Sequence, residues 1–275
     1  MTSQTDNAAI DPMTVLDTAT TAPERRRASV VVVCPGQLEY TRLCAASVLR
    51  HTRPPCELVF VDLASLDGTR EFLEGLAIAA SVPIRVVGID QDHDLATAYG
   101  VGVARCEGDY VVLLNNDTIV SDRWLDQLTG LAEVDPQIGL VGAMSNHAPP
   151  PQSTGPVPYR VGSWNRQSRS EDVPADDAEV LLDAVDRFAR RWRQEHSKQW
   201  FEVERLASFC VLIKRSVLDQ IGPVFAPAPL GISEEDLSDR VRRAGYRLAC
   251  CRDLFVHHFG SRIAVQVMSP PTRSG

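Results

Sequence analysis

Tyr110-Val111-Val112-Leu113-Leu114-Asn115-Asn116-Asp117-Thr118 decides how this chain is read. The apolar run Tyr110–Leu114 is strand-sized and carries two β-branched valines, which favours a buried strand over a helix. Polarity then switches within one residue to two amides and a carboxylate. Polar side chains directly behind a buried strand suit a hard cation that wants oxygen ligands. They equally suit an Asx-type turn that leads into the next helix. The residues alone leave both readings open.

Working outward, short β-branched runs alternate with helical patterns. Ser29–Val33 is a strand, after which Tyr40, Leu43, Cys44 and Val48 mark one helix face. Glu57–Asp62 is a second strand, followed by a helix carrying Phe72, Leu73, Leu76 and Ala80. Ile84–Ile89 is a third, with an Ala-rich helix over Leu95–Arg105. Behind Tyr110–Leu114 comes a helix marked by Trp124, Leu125, Leu128 and Leu131, then a strand at Ile138–Val141. Repeated strand–helix units predict an α/β fold, a parallel sheet with helices on both faces. Such sheets bind ligands beyond the carboxyl ends of their strands. That edge holds Cys34–Gly36, Asp62 and Asn115–Asp117.

The composition changes at Ser145. Residues 145–162 are rich in Pro, Ser and Gly and predict a long surface loop. A helix follows at Ala178–Glu195, with Val185, Phe188, Ala189 and Trp192 on one side. Strand-like sequence resumes at Phe209–Ile213. A helix over Glu234–Ala244 leads into strands at Tyr246–Cys251 and Phe255–His258. The expected organisation is a tail at 1–28, one domain over 29–265 with halves 29–144 and 145–265, and a second tail at 266–275.

Of the 275 residues, 44% are hydrophobic and 23% charged, ordinary values for a globular chain. A net charge of −8 without a basic block argues against nucleic-acid binding, which phosphate neutralisation dominates. No apolar run approaches the ~20 residues that span a bilayer. Seven cysteines without CxxC spacing suggest neither a disulfide framework nor a zinc ribbon. The N-terminal segment lacks the basic-then-apolar order of a secretory signal, so the expected location is the cytoplasm.

Three further groups carry chemistry. Asp62 directly follows the apolar run Val59–Val61 and is placed to accept hydrogen bonds from a base or ribose, whereas Asp67-Gly68 reads as a turn. Ser233 and Asp236 form a capping box. Capping does not require Glu234 and Glu235 as well, so one of them is a candidate general base. His257 and His258 end a strand, where their rings face opposite sides, and at most one reaches a given site. Each is a metal-ligand candidate or a packing residue.

Together these segments resemble the family 2 glycosyltransferases of the GT-A fold, over residues 29–261. Val61-Asp62 with Ser65 and Asp67-Gly68-Thr69 is similar to the family's VDNGSTDGT signature. Gly108-Asp109-Tyr110 through Asp117-Thr118 resembles the segment with the DXD-type motif. Glu234-Glu235-Asp236-Leu237 and Arg240–Arg247 resemble the ED-x-D-L helix, and His257-His258-Phe259-Gly260-Ser261 the C-terminal histidine segment. Cys34-Pro35-Gly36 stands where the family has Thr-Tyr-Asn, and Asp92-His93-Asp94 where it has Asn-x-Gly.

The resemblance implies a Rossmann-like, mostly parallel sheet flanked by helices, with an inserted loop-and-helix acceptor lobe. It implies an inverting transferase that moves a sugar from a nucleotide-diphospho-sugar to a saccharide or other hydroxyl-bearing acceptor. Asp117, with His257 at the position that matches the family's C-terminal histidine, would hold Mn²⁺ or Mg²⁺, and His258 is the adjacent candidate. Glu234 would be the base, with Glu235 its neighbour. Asp62, Asn116, Cys34 and Asp92 would line the donor. The alternative is a non-catalytic domain of the same fold that binds a nucleotide or a partner.

Overall fold

Val30, Val32 and Cys34 point to one side of the first strand and Val31 and Val33 to the other, and all are sealed from solvent. A strand buried on both faces has no need of polar alternation, which is why this segment is a plain valine run. The computed structural model describes residues 27–89, 94–161, 175–222 and 234–260; the side chains of 175–176 and 234–236 fall outside that description. Nearly all of both expected tails, and Asp92, also lie outside the described residues.

The strands are β1 (Ala28–Cys34), β2 (Cys56–Leu63), β3 (Ile84–Ile89), β4 (Tyr110–Asn115), β5 (Thr118–Ile119), β6 (Ile138–Met144), β7 (Trp200–Val203), β8 (Cys210–Lys214), β9 (Arg247–Phe255) and β10 (His257–His258). Eight of them form one sheet in the order β3-β2-β1-β4-β8-β6-β9-β7, and β5 pairs with β10 in a separate ribbon. The pairings among β3, β2, β1 and β4 are parallel, as is β6 with β9. β8 runs antiparallel between β4 and β6, and β7 lies antiparallel on the edge beside β9. The sheet is therefore mixed in its second half. The two C-terminal strands expected at 246–251 and 255–258 are instead one long strand, β9, and the two-residue β10.

Helices α1 (Leu38–His51), α2 (Thr69–Ala79) and α4 (Trp124–Val134) cover one face through Cys44, Val48, Leu73, Trp124 and Leu128. Helices α3 (Leu95–Val103), α6 (Arg215–Ile221) and α7 (Glu234–Arg243) cover the other through Tyr99, Val217, Leu218, Leu237 and Val241. Gly102 lets α3 approach the sheet closely. A Cβ there would stand 2.5 Å from Val31 Cγ1 and 2.9 Å from Val61 Cγ2. Helix α5 (Ala175–Glu195) builds a third apolar cluster, laying Leu181, Leu182, Val185 and Ala189 against Leu43, Ile119, Phe255 and Phe259. Its charged face is tied to α1 by Arg50–Asp183 at 2.7 Å and His51–Asp186 at 3.0 Å. Among the described residues no helix is long and apolar enough to cross a membrane.

Candidate active site

The chain leaves β4 through a turn at Asn116-Asp117 and re-enters extended backbone at β5. There Ile119 pairs with His257 and Thr118 with His258, and the Phe259 N–H donates to the Asp117 carbonyl at 3.0 Å. This short ribbon brings the C-terminal histidines to the end of the fourth strand. His258 Nε2 lies 3.3 Å from Asp117 Oδ1, and both side chains are buried.

The orientation of His258 is over-determined. Its Nδ1 sits 2.9 Å from the His147 carbonyl, its ring stacks on Phe209 at 5.3 Å, and Asn146 brackets its backbone. Asn146 Oδ1 accepts the His258 N–H at 2.9 Å, while Asn146 Nδ2 donates to the His258 carbonyl at 3.0 Å. Because a carbonyl only accepts, Nδ1 must carry the hydrogen. Nε2 then faces the carboxylate oxygen, an ion pair when the ring is protonated and two candidate ligand atoms when it is neutral. Two ligands bound to one ion at about 2.1 Å each and roughly 90–109° apart are separated by about 3.0–3.4 Å. The observed pair fits that spacing. Among the described residues no group of three His, Cys, Asp or Glu side chains gathers around one point.

His257, the histidine that the resemblance put on the metal, faces the other way, so His258 takes its place beside Asp117. The His257 Nδ1 lies 2.8 Å from Tyr159 Oη and its ring packs edge-on to Phe259 at 4.6 Å. Burial, with the neighbouring His258 adding to it, lowers its pKa to about 3. Nε2 is buried without a hydrogen-bond partner among the described residues.

Asp62 is buried at the end of β2, accepts the Ser65 hydroxyl, and has the Arg70 guanidinium 4.0 Å away. Burial raises its pKa above the usual carboxylate range, and the Ser65 hydrogen bond partly offsets this. Asp67 takes the turn role expected of it. It accepts the N–H groups of Leu38 at 2.9 Å and Thr69 at 3.2 Å, so one carboxylate caps two helices, beside Gly68 at φ 86°. Asn116 uses its amide nitrogen on the Gly36 carbonyl at 3.1 Å and Thr41 Oγ1 at 2.9 Å. It fixes the loop behind β1, and only its Oδ1 is left without a partner. The Cys34 thiol is fully buried in the core, where burial pushes its pKa well up, so Cys34 offers a ligand only its backbone. Glu234 and Glu235 open α7, and their side chains lie outside the described residues, as does Asp92.

Asn115, Asn146, His147, Ala148, Pro149, Ala207, Phe209 and His258 line a cavity of about 370 Å³ at this edge. Asn146 and Tyr159 were not singled out by sequence reasoning, whereas Phe209 opens a strand that was. Asn146-His147 directly behind an apolar strand repeats the pattern of Asn116-Asp117 behind β4, and that signal was available.

Residues 29–222 match the family described as Glycosyl transferase family 2. This chain belongs to that family. The curated relative TuaG of Bacillus subtilis (strain 168), whose name places it as a glycosyltransferase in teichuronic acid biosynthesis, is 30% identical over 96 residues. That match takes in 35% of this chain and 36% of the relative, so the chain matches about a third of that protein's length. Among solved structures, the mannosyltransferase PcManGT from Pyrobaculum calidifontis, in complex with GDP-Man and Mn²⁺, superposes with a TM-score of 0.60 at 18% identity. The superposition covers 86% of this chain and 57% of that one. GalNAc-T7 with UDP, GalNAc and Mn²⁺ gives 0.62 at 15% identity, covering 91% and 46%. TarS 1-349 of S. aureus gives 0.56 at 13% identity, covering 84% and 60%. At such identities the likeness establishes the fold, which is the GT-A arrangement.

Proposed function

We propose that this family 2 enzyme is an inverting, metal-dependent transferase that moves a sugar from a nucleotide-diphospho-sugar to an acceptor hydroxyl. The observation that carries the reading is the Asp117–His258 pair, a buried carboxylate and an imidazole nitrogen 3.3 Å apart, at ligand spacing, at the carboxyl edge of the sheet. The GDP-Man and Mn²⁺ of the Pyrobaculum enzyme, and the UDP and Mn²⁺ of GalNAc-T7, support a diphosphate and a divalent ion in this family member too.

Asp117 and His258 would hold Mn²⁺ or Mg²⁺, which when bound neutralises charge on the departing diphosphate. Asp62 accepts hydrogen bonds from the nucleoside. Asn116 acts on the donor indirectly, by holding the Gly36 loop. Glu234, in the first turn of α7, takes the proton of the acceptor hydroxyl as its oxygen attacks the anomeric carbon from the side opposite the diphosphate. The new glycosidic bond forms as the bond to the diphosphate breaks, and no covalent enzyme intermediate is required. His257, held by Tyr159, packs the base of the acceptor lobe.

Calorimetry with GDP and UDP, with Mn²⁺ and with chelator, tests this. The expected result is much tighter binding with metal, lost in Asp117→Ala. Equal affinity with and without metal would overturn the metal role. Failure of every nucleotide to bind would favour the non-catalytic alternative.

A further inference from the structure

A second cavity, of about 310 Å³, lies on the far side of the loop that follows β6, lined by Met144, Pro151, Ser153, Thr154, Trp192, Phe201 and Arg252. The loop separates the two cavities. Asn146–Pro149 face the first, and Pro151, Ser153 and Thr154 face the second. The loop is held in shape by Ser145 N–H to the Gln152 carbonyl at 2.9 Å and Thr154 N–H to the Ser145 carbonyl at 2.8 Å. Met144 ends β6 and Arg252 lies late in β9, two parallel neighbours, so the second cavity opens on the same carboxyl edge as the Asp117 site. From β4 to β9 is three strand spacings, or roughly 14 Å.

The lining has a definite chemistry. Trp192 is half-buried, its Nε1–H spent on the Arg252 carbonyl at 2.7 Å and its ring stacked on His196 at 4.0 Å. The indole is thus fixed as a wall. Phe201 pairs with Cys250 across β7 and β9, which puts it on the same sheet face as Arg252. Ser153 and Thr154 add hydroxyls. The nearby charged groups are mostly satisfied internally. Arg247 pairs with Glu202 and Asp135, Arg193 with Asp122 at 3.4 Å, and Asp253 accepts the Lys198 N–H at 2.8 Å. Arg252 is exposed and lines this aromatic-walled, hydroxyl-lined cavity, and its side chain has no ion-pair or hydrogen-bond partner among the described residues. Aromatic walls with hydroxyls suit a sugar ring, and a guanidinium suits a carboxylate or phosphate on it.

We infer that this cavity is a distal acceptor subsite for an anionic glycan, taking a ring that bears a carboxylate or a phosphate a few sugars away from the reacting hydroxyl. The inference rests on the transferase reading above and names its acceptor class. The test titrates wild type with tetragalacturonate, its methyl ester, phosphorylated maltotetraose and plain maltotetraose by calorimetry at low salt. GDP or UDP with Mn²⁺ is titrated in parallel. Saturable binding of one acidic probe, at least tenfold tighter than its neutral partner, is expected, and the probe that binds identifies carboxylate or phosphate as the anion. Arg252→Gln should abolish that preference, Arg252→Lys should restore part of it, and nucleotide affinity and melting temperature should not change in either variant. Wild type that binds nucleotide but neither acidic probe, or Arg252→Gln that keeps the preference, overturns the subsite. Acidic-glycan binding without nucleotide binding would instead leave the subsite standing and overturn the transferase reading.

Discussion

Replacing the two adjacent histidines one at a time separates their roles, because each substitution should act on a different observable. His258→Ala removes the imidazole that faces Asp117 at 3.3 Å. Loss of an outer partner of a metal ligand costs 10–100-fold in metal affinity, so loss of a ligand itself should cost at least about 100-fold, or ~2.7 kcal/mol. The gain in nucleoside diphosphate affinity on adding Mn²⁺ should therefore nearly vanish, while affinity in chelator is unchanged. His257→Ala removes a ring that is 1% exposed, and leaves Tyr159 Oη without its partner and Phe259 without an edge contact. By analogy with other large-to-small core changes this should cost about 2–4 kcal/mol of stability. For a domain of this size, that lowers Tm by roughly 4–16 °C. The manganese-dependent gain should survive it. Calorimetry with and without chelator, paired with thermal melts, reads both quantities. If His257→Ala abolishes the manganese-dependent gain and His258→Ala leaves it intact, the assignment is reversed. If neither changes it, neither His257 nor His258 holds the ion.

Three other outcomes are expected. Asp62 is more easily protonated folded than unfolded, so its ionisation costs stability as pH rises from the unfolded value near 3.9 through the higher folded one. Asp62→Asn should then match or exceed wild-type Tm at pH 7 without ligand, lose that advantage below about pH 4, and bind nucleotide more weakly; a lower Tm at pH 7 would refute this. Glu234→Gln should slow transfer by ~10²–10⁴ with donor binding intact, and Glu235→Gln, about 100° around the helix, should be much milder; the reverse order would shift the assignment by one residue. Gly102→Ala would press a methyl to 2.5 Å from Val31 on a fully buried strand, and should cost about 1–3 kcal/mol, read as a Tm loss of roughly 2–12 °C.

The first half of the fold was legible in the sequence because β1, β2 and β4 are buried on both faces, and only apolar β-branched runs satisfy that. The edge strand β7 was not, since its alternation leaves Trp200 and Glu202 exposed and resembles loop sequence. Nor was the seven-residue α6, which is too short to show a period. The insertion of β8 between β4 and β6 is a matter of tertiary pairing that local pattern does not encode. At the site, the run ending in Asp117 and the opposed facing of the two histidines were readable. Which ring meets Asp117 was not, because that depends on the β5–β10 register, with His258 opposite Thr118. The structural use of the Asn116 amide was hidden for a similar reason. Nothing in Asn115-Asn116-Asp117 reveals that its amide is already spent on Gly36 and Thr41.

The β5–β10 ribbon also sets when the candidate site is complete. It joins positions 117 and 258, which are 141 residues apart along the chain and meet through only two residue pairs. β10 follows β9 directly in the chain, so the ribbon closes only once the segment that carries β9 is present. A nascent chain that has emerged only as far as β8 has the carboxylate in place and lacks its imidazole. Metal-dependent nucleotide binding would then report the completed fold rather than any part of it. On the proposed reading, a protein caught half-made, or locally opened at its C-terminal strand, would not hold a donor.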